Sequence, residues 1–463
     1  MSFRLVLSSI TQTLSATIRP HVQDEAAKHA LEACIRGLSG LTAAFEAPAG
    51  EPSPPLPNAR DFPPTAYTRP PETLAANATH AAAVKAGEQW LASGGWLKDS
   101  AQRDAANALL AWESAIEDTR ITLMDSLTDG ARTESAVVSL DIDRDALERY
   151  LKARYPDDKD LRIATFRQVF GGRSRQTALF TLEGATSIPA KLAVQRDHPA
   201  GLSPYGVAGQ FPFVKVVADS GVKTPRPVFL ETDKAVISAP FVVMEQVSGA
   251  VAGADYFHPP QTPALAYELA EQLALLHRAD LSALPAALSD NSLSWPDDLA
   301  AIDAAWRKHQ AAPSMAFAAA LAWMRAHVQD VGNERSIVHT DTAFHNILIE
   351  NGHLSAILDW ELVHVGHPGE DLGYCRGFVE EMADWDEFMR VYTAHGGCAF
   401  SRTVIDYFSL RAGVKLMTLL QGGRAAFESG LTDDVNLAEV ATSFVPRLHR
   451  RIARVLKEIV QRA

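Results

Sequence analysis

The amino-acid sequence predicts an α+β protein in which an N-terminal bundle of helices precedes a small antiparallel sheet lobe and a helical lobe. Three observations support this fold class. The chain has 463 residues, enough for two or three domains. Helical hydrophobic periodicity dominates both ends of the chain. Between these ends, short alternating runs separated by turn residues are typical of strands.

Composition and charge restrict the class of protein. With 47% hydrophobic and 21% charged residues, the chain is typical of globular proteins. A net charge of −13 argues against a nucleic-acid partner, because such binding depends on clustered Lys and Arg. We see no secretory signal and no apolar stretch of transmembrane length, so we expect a cytoplasmic protein with no membrane partner. Cys34, Cys375 and Cys398 are far apart, which predicts buried free thiols rather than a disulfide or a zinc site.

Residues 1–130 are predicted to form a helical domain. Apolar residues recur at three- and four-residue spacing between residues 10 and 47, and again at residues 74–91 and 102–127. Three Pro-Pro pairs in residues 48–71 predict an extended arm between these helices. We identify no chemistry in this domain, and homo-oligomerisation through its helices is an open alternative.

A sheet lobe is predicted at residues 141–248 and a helical lobe at residues 249–463. The sheet lobe begins with a helix that Asp143 leads and that ends at Pro156. A second helix is expected at residues 207–220. Five strands are expected, at residues 162–169, 176–182, 190–195, 228–231 and 241–245. The two lobes would join near residues 246–249, which creates a cleft between them.

The segment IVHTDTAFHNILIENGHLSAILDWE, residues 337–361, carries the candidate chemistry. Asp341 and Asn346 lie five residues apart in a polar loop that precedes an apolar strand. A second apolar run ends in Asp359, and Asn351-Gly352 between the two runs is a hairpin signal. The hairpin would bring Asn346 and Asp359 close together.

One carboxylate and one amide oxygen side by side suit Mg²⁺, which keeps most of its ligands for water and substrate oxygens. Asn346 and Asp359 are therefore the candidate metal ligands, and Asp341 is the candidate group that orients or deprotonates an attacking hydroxyl. The alternative is that these residues only cap turns. Spacing, order, flanking strands and the hairpin together favour the catalytic interpretation.

These motifs resemble those of the aminoglycoside phosphotransferase and choline kinase superfamily, which is related to the protein kinases. The likeness is greatest to bacterial phosphotransferases related to the kinase domain of some acyl-CoA dehydrogenase fusion proteins. The HxDxxxxN loop of the superfamily is matched by His339, Asp341 and Asn346. The apolar run that follows it in the superfamily, which ends in Asp, an aromatic residue and Glu, is matched by Asp359 and Glu361. The resemblance implies a bilobal protein-kinase-like fold and transfer of phosphate from ATP, with Mg²⁺, to a hydroxyl group of a small molecule.

The resemblance also implies roles for other residues. Nucleotide-binding positions would be Gly171, Gly172, Arg173 and Ser174 in a glycine turn, Ala193 and Gln195 on the third strand, and Met244, Glu245 and Val247 at the junction of the lobes. A Gly pair between strands also forms plain hairpins, and this alternative is open for the glycine turn. The run LALLH ending at His277 and the run PGEDL containing Asp371 lie in the expected order. His339 and Asp371 are expected to orient the catalytic loop rather than to contact substrate.

The third strand departs from the superfamily's pattern. Members carry a small residue followed two positions later by Lys or Arg, which holds the phosphates and pairs with a helix Glu. Here Gln195 takes the position of the cation, and Gln210 takes that of the Glu. Amides cannot neutralise phosphate.

Three explanations for this departure are open. The cation could come instead from Arg173 or Arg175, from Lys191, or from Arg196 after a register slip. The protein could be a pseudokinase-like scaffold that binds nucleotide weakly. The alignment could also be wrong by a residue or two. Retention of the loop Asp, the Asn and the metal Asp favours an active enzyme.

The acceptor is less defined. Trp306, Trp323, Trp360, Phe344 and Tyr374 could line an apolar or aromatic acceptor pocket, or could be core residues. The acidic run at residues 380–387 could bind a cationic aminoglycoside, but solvation of a helix surface explains it equally well. We therefore do not predict antibiotic resistance. A hydroxyacyl thioester, an aromatic hydroxyl compound and a macrolide remain open as acceptors.

Overall fold

The structure is a computed structural model. Apart from single positions before residue 39 and at Leu431, it describes residues 74–98, 100–128, 142–169, 175–197, 206–251, 259–289, 294–310, 313–429 and 435–462. The predicted proline-rich arm and nearly all of the helices predicted before it lie outside these ranges, as does the glycine turn Gly171, Gly172, Arg173 and Ser174.

Within the described ranges, the order of helices and strands along the chain is the one that the sequence predicts. In chain order, the helices are α1 (Leu74–Ala92), α2 (Ser100–Thr128), α3 (Arg144–Arg154), α4 (Gly206–Asp219), α5 (Pro263–His277), α6 (Ala286–Ser289), α7 (Trp295–His309), α8 (Met315–His327), α9 (Gly369–Met382), α10 (Trp385–Ala394), α11 (Arg402–Glu428) and α12 (Val435–Arg462). The strands are β1 (Arg162–Val169), β2 (Arg175–Glu183), β3 (Lys191–Asp197), β4 (Pro227–Glu231), β5 (Phe241–Glu245), β6 (Ala250–Val251), β7 (Ser336–Val338), β8 (Ile347–Glu350), β9 (His353–Ile357) and β10 (His364–Gly366).

The chain divides into two compact units. One contains Met1–Arg132, Leu293–Gly332 and Ser401–Ala463, and the other contains Thr133–Ser292 and Asn333–Phe400. We call them the helical unit and the sheet unit. These units divide the chain differently from the predicted domains, because two segments that the sequence assigns to the helical lobe fall in the same unit as the N-terminal helices. The predicted domain boundaries stay a prediction.

The helical unit is built from α1, α2, α7, α8, α11 and α12. Helix α8 packs against α1, and α12 packs against both α2 and α11. The first turn of α8 is bound by carboxylates from other helices. Glu113 of α2 accepts hydrogen bonds from the Met315 and Ala316 N–H groups at 2.8 and 2.7 Å, and Glu88 of α1 accepts one from the Ser314 N–H at 3.1 Å. Within the described ranges, no helix has the length and apolar character needed to span a bilayer.

The sheet unit contains a five-stranded antiparallel sheet with the strand order β1-β2-β3-β5-β4. Helix α3 covers one face. Its Leu147 and Leu151 are fully buried in a cluster with Leu192 and Val194 of β3, and each buried leucine contributes roughly 1.5–3 kcal/mol. Asp143 caps this helix by accepting a hydrogen bond from the Ala146 N–H at 2.9 Å, as the sequence predicts.

A hairpin formed by β8 and β9 carries the second half of the candidate site. The predicted turn is confirmed: Asn351 and Gly352 have φ of 53° and 84°, and Glu350 pairs with His353. Positive φ at both central residues is the geometry that Asn-Gly favours. The sequence did not predict the short strands β6, which pairs with β8, or β7 and β10, which pair with each other.

Gly249 lies between β5 and β6 at φ 137°. A Cβ there would be 2.8 Å from the Ile349 carbonyl oxygen, so glycine permits close approach to β8.

All three cysteines are free, but only Cys375 is buried. The expected burial is wrong for Cys34 and Cys398.

Candidate active site

The loop between β7 and β8 is held by Asp371 from the first turn of α9. The Asp371 carboxylate accepts hydrogen bonds from the backbone N–H groups of His339, at 3.0 Å, and of Thr340. It also contacts His277 Nε2 at 3.0 Å, while the other nitrogen of that ring contacts Tyr392 Oη. Thr340 has φ 62°, a strained value for a β-branched residue. Asp371 thus stabilises a loop conformation that the chain would not otherwise prefer.

His339 braces the same loop from inside. Its Nε2 lies 2.8 Å from the Leu358 carbonyl oxygen, and its Nδ1 accepts a hydrogen bond from the Asp341 N–H at 3.1 Å. This pair of contacts assigns the proton to Nε2. Complete burial lowers the pKa of His339, which keeps the ring neutral. These are the contacts expected of an orienting residue rather than of a general base.

Asp341 is held at both carboxylate oxygens. Oδ2 accepts a hydrogen bond from Asn346 Nδ2 at 2.9 Å, and Oδ1 accepts one from the Tyr374 hydroxyl. Burial raises the pKa of Asp341 to about 8, and the negative charge of Asp359 adds to this. The sequence did not predict the contact with Tyr374. The sequence feature that could have indicated this contact is the three-residue spacing of Asp371 and Tyr374 on α9, which places both side chains on one face of the helix.

Asn346 and Asp359 come together at the open end of the β8–β9 hairpin, as predicted. The Leu358 N–H donates to the Asn346 carbonyl at 2.8 Å, which fixes the two chains side by side. Asp359 has φ 61°, another strained position. Among the residues that the structure describes, the Asn346 side chain makes its hydrogen bonds through the amide nitrogen, which donates to the carbonyl and to Oδ2 of Asp341. The amide oxygen is therefore the atom left for a cation.

The charges at this end of the hairpin fit a divalent cation. Burial raises the pKa of Asp359, and the nearby carboxylate of Glu361 raises it further. A cation would relieve this repulsion. Among the described residues, no group of three or more His, Cys, Asp or Glu side chains could hold a metal by itself. One carboxylate plus one amide suits Mg²⁺, which takes its other ligands from water and phosphate oxygens.

The face of the sheet opposite α3 carries the candidate nucleotide residues. Ala193 pairs with Met244, and Gln195 pairs with Val242, so all four side chains share this face. At the end of β5, the Glu245 N–H donates to the Arg226 carbonyl. The Val247 N–H donates to none of the residues that the structure describes. These positions agree with the predicted arrangement, while their role in binding stays a prediction.

The structure brings Gln195 and Gln210 together through a cation. Arg175, the first residue of β2, is buried, and its Nη1 donates to Gln195 Oε1 at 3.3 Å and to Gln210 Oε1. Its Nε lies 4.0 Å from Asp197 Oδ1. Burial lowers the pKa of Arg175, while the charges of Asp359, Glu361 and Asp197 oppose this shift.

The register excludes one of the alternative cations. Arg196 pairs with Phe241 and points to the α3 face, where it donates to Gln176 Oε1 and to the Ile237 carbonyl. The register slip considered from the sequence is therefore wrong. Lys191 is exposed at the far end of β3. Arg173 lies outside the described residues.

Most of the aromatic residues considered for an acceptor pocket are packed in cores. In the helical unit, Trp306 stacks on Phe317 with ring centroids 4.2 Å apart. Trp323 stacks on His327. In the sheet unit, Phe344 is 2% exposed, and the Trp360 indole donates to Thr224 Oγ1. Of the five, Tyr374 is the one whose side chain bonds to a candidate catalytic residue.

The acidic run at residues 380–387 has local partners. Glu380 pairs with Arg376 at 2.6 Å, and Glu387 pairs with Arg390. Asp384 caps α10 by accepting a hydrogen bond from the Glu387 N–H at 2.8 Å. These contacts favour the interpretation that the run stabilises helices rather than binds a cationic acceptor.

A small antiparallel sheet, a catalytic loop held by a helix, and a hairpin that carries Asn and Asp define a kinase-like phosphotransferase. The sequence profile of the phosphotransferase enzyme family matches residues 165–411, more than half of the chain. The chain belongs to this family. The predicted enzyme class, a kinase, is confirmed.

Two curated relatives each match about half of the chain. Acyl-CoA dehydrogenase family member 11 of Rattus norvegicus is 27% identical over 245 residues, which are 50% of this chain and 30% of the relative. The protein of the same name from Gallus gallus is 28% identical over 252 residues, 51% of this chain and 31% of the relative. The chain therefore spans less than a third of the length of these relatives.

A solved structure supports the fold. A crystal structure from Ralstonia eutropha, named as that of a "putative aminoglycoside phosphotransferase", matches with a TM-score of 0.54 and 18% identity, covering 69% of this chain and 99% of that chain. The match confirms the predicted bilobal kinase-like fold.

Proposed function

We propose that the protein transfers the γ-phosphoryl group of ATP to a hydroxyl group of a small molecule, with Mg²⁺ as cofactor. The observation that carries this proposal is the arrangement of Asp341, Asn346 and Asp359. The Asp341 carboxylate accepts a hydrogen bond at each of its oxygens, and it lies beside a second carboxylate and an amide oxygen that can share a cation. This is the set of groups that phosphoryl transfer to an alcohol needs.

Each residue has a separate part in this proposal. Asn346 and Asp359 would hold Mg²⁺, which supplies positive charge at the transferring phosphate. Asp341 accepts the hydrogen bond of the incoming hydroxyl and receives its proton as transfer proceeds. A carboxylate accepts about four hydrogen bonds, so contacts from Tyr374 and Asn346 leave room for substrate. These two donors hold the carboxylate in one orientation.

The face formed by Ala193, Gln195 and Met244 would receive the nucleotide. Small Ala193 opposite Met244 leaves an apolar surface for a purine. The Val247 N–H and the end of β5 would meet its polar edge. The glycine turn, with Gly171, Gly172, Arg173 and Ser174, would cover the phosphates.

The test compares the wild-type chain with Asp341→Asn. Wild type is expected to bind Mg·ATP and to phosphorylate an acceptor only when Mg²⁺ is present. Asp341→Asn is expected to bind Mg·ATP within a few-fold of wild type and to lose at least about 100-fold in kcat, because general acid–base catalysis typically contributes this much. Isothermal titration measures binding, and phosphate detection on the product measures turnover. Failure of wild type to bind Mg·ATP at millimolar concentration would refute the proposal.

The acceptor is found with a panel of hydroxyl compounds. The names of the curated relatives give a reason to place hydroxyacyl thioesters in it, beside aromatic hydroxyl compounds and macrolides. Each compound is tested with wild type and with Asp341→Asn, so that a contaminating kinase is recognised by activity that survives in the variant.

A further inference from the structure

We propose that Arg175 supplies the positive charge that binds the nucleotide phosphates, from β2 rather than from the usual place on β3. This inference rests on the function proposed above and concerns the same site. It explains how a chain with glutamine at position 195 can bind an anionic ligand. Relative to the superfamily's pattern, the cation lies on the neighbouring strand, and its side chain reaches the position that a Lys or Arg at residue 195 would occupy.

The first support is geometry. Arg175 pairs with Asp197 and Thr177 pairs with Gln195, so the Arg175 and Gln195 side chains are diagonal neighbours on the nucleotide face of the sheet. Nη1 of Arg175 contacts both Gln195 Oε1 and Gln210 Oε1. The guanidinium of Arg175 therefore links the two glutamine side chains that replace the charged pair of the superfamily.

The second support is that both side chains that accept hydrogen bonds from Arg175 Nη1 are glutamines, Gln195 on β3 and Gln210 on α4. A guanidinium has five N–H donors and no acceptor, and it needs neutral or anionic oxygens around it. Gln195 and Gln210 supply oxygens without negative charge, so they orient Arg175 and add no negative charge of their own to the site. A Glu at position 210 would pair with Arg175 as an ion pair and compete with the ligand.

The third support is the connection of Arg175 to α4. Asp197 Oδ1 lies 4.0 Å from Arg175 Nε, and it also accepts the Val207 N–H at 2.8 Å at the start of α4. Asp197 therefore connects Arg175 to the helix that carries Gln210.

The test measures binding of Mg·ADP and of adenosine, which lacks the phosphates. Arg175→Gln is expected to weaken Mg·ADP binding by about 10- to 100-fold, the range for loss of hydrogen bonds to a charged group. Adenosine binding is expected to change less than about 2-fold. Arg162→Gln is the matched control: Arg162 is exposed on β1 and pairs with Glu183, which lies eight residues, or about 26 Å, along β2 from Arg175.

A double variant distinguishes a role of Arg175 in ligand binding from a structural role. Gln195→Lys is introduced into Arg175→Gln, so that a positively charged side chain is restored on β3, the neighbouring strand. The double variant is expected to recover at least about 10-fold of the lost Mg·ADP affinity. Thermal unfolding of each variant without nucleotide shows whether the fold is retained. Arg175→Lys gives a second measurement, with an intermediate affinity expected because it keeps the charge and loses the fork.

Three results would overturn the proposal. Arg175→Gln could bind Mg·ADP as tightly as wild type and Arg162→Gln. It could lose adenosine and Mg·ADP equally, which indicates a structural role. The loss could instead follow Arg173→Gln. Each is distinct from failure of the proposed function, in which wild type itself does not bind Mg·ADP.

Discussion

At the scale of single residues, the site holds carboxylates with little access to water. Asp371 is buried and Asp341 is half-buried, and burial disfavours their charge unless hydrogen bonds compensate. The compensation differs between them. Asp371 accepts hydrogen bonds from backbone N–H groups and thereby holds the loop. Asp341 accepts hydrogen bonds from the side chains of Tyr374 and Asn346 and retains lone pairs that can accept one from a substrate.

Tyr374→Phe removes one donor to Asp341 and leaves the ring in place. We expect kcat to fall by about 10- to 100-fold, the effect of a hydrogen bond to a charged group worth about 1.5–3 kcal/mol. The KM for ATP is expected to stay within about 2-fold, because the lost contact concerns the carboxylate and not the nucleotide. Steady-state kinetics with a fixed acceptor give both values.

Tyr155→Phe is the control for this substitution, since the Tyr155 ring packs against Phe229 with centroids 6.4 Å apart. It is expected to leave kcat unchanged. An equal effect of both substitutions, or a rise in KM without a change in kcat after Tyr374→Phe, would contradict a role in orienting Asp341.

At the scale of secondary-structure elements, short connections set the positions of the strands. Asp158 joins two of these connections. It follows α3 and accepts hydrogen bonds from the Thr186 hydroxyl, the Ser187 hydroxyl and the Ser187 N–H in the turn between β2 and β3. The turn that aligns β3 is therefore attached to the segment that leads into β1.

Asp158→Asn tests this attachment through its pH dependence. The hydrogen bond from Thr186 and those from Ser187 lower the pKa of Asp158 in the folded chain below its ordinary value near 4. A lowered folded pKa means that the carboxylate stabilises the fold above about pH 4, and that this contribution disappears as pH falls through the folded pKa. We expect the variant to unfold at a lower temperature than wild type at pH 7 and the difference to shrink below pH 4.

Thermal unfolding of both chains between pH 7 and pH 3 measures the difference. Asp145→Asn, at an exposed position in the first turn of α3, is the control and is expected to show a smaller difference at pH 7. A gap between Asp158→Asn and wild type that widens toward acid would show that the sign of the pKa shift is wrong.

At the scale of the whole molecule, neither compact unit is a continuous stretch of chain. The helical unit collects three segments and the sheet unit collects two. The helical unit depends on contacts between residues distant in sequence. Glu113 binds the start of α8 across 202 residues of chain, and both of its oxygens are used.

Glu113→Ala is expected to destabilise the helical unit by about 2–6 kcal/mol. The change leaves two buried N–H groups of α8 without an acceptor, each costing about 1–3 kcal/mol. Urea unfolding followed by tryptophan fluorescence measures the loss. Glu113→Gln keeps one acceptor oxygen and is expected to lose less than Ala does. Equal stability of Glu113→Ala and wild type would show that water replaces the carboxylate.

Features that depend on neighbours along the chain could be predicted from the sequence. The Asn351-Gly352 turn, the Asp143 cap and the five strands of the larger sheet follow from backbone preferences and hydrogen bonds within a few residues. The motifs at residues 337–361 carried the resemblance that predicted the family and its kinase-like fold, and the hairpin signal within them predicted that Asn346 and Asp359 lie close together.

The sequence did not show which distant side chains contact each other in the folded chain. Arg175 and Gln210 are 35 residues apart, and Tyr374 lies 33 residues from Asp341. Whether such pairs touch depends on strand register and on the angle at which a helix packs, and neither follows from local preference. The sequence therefore left several cations open at the phosphate site. Pairing of β2 with β3 placed Arg175 beside Gln195 and turned Arg196 into the core, because adjacent residues of a strand face opposite ways.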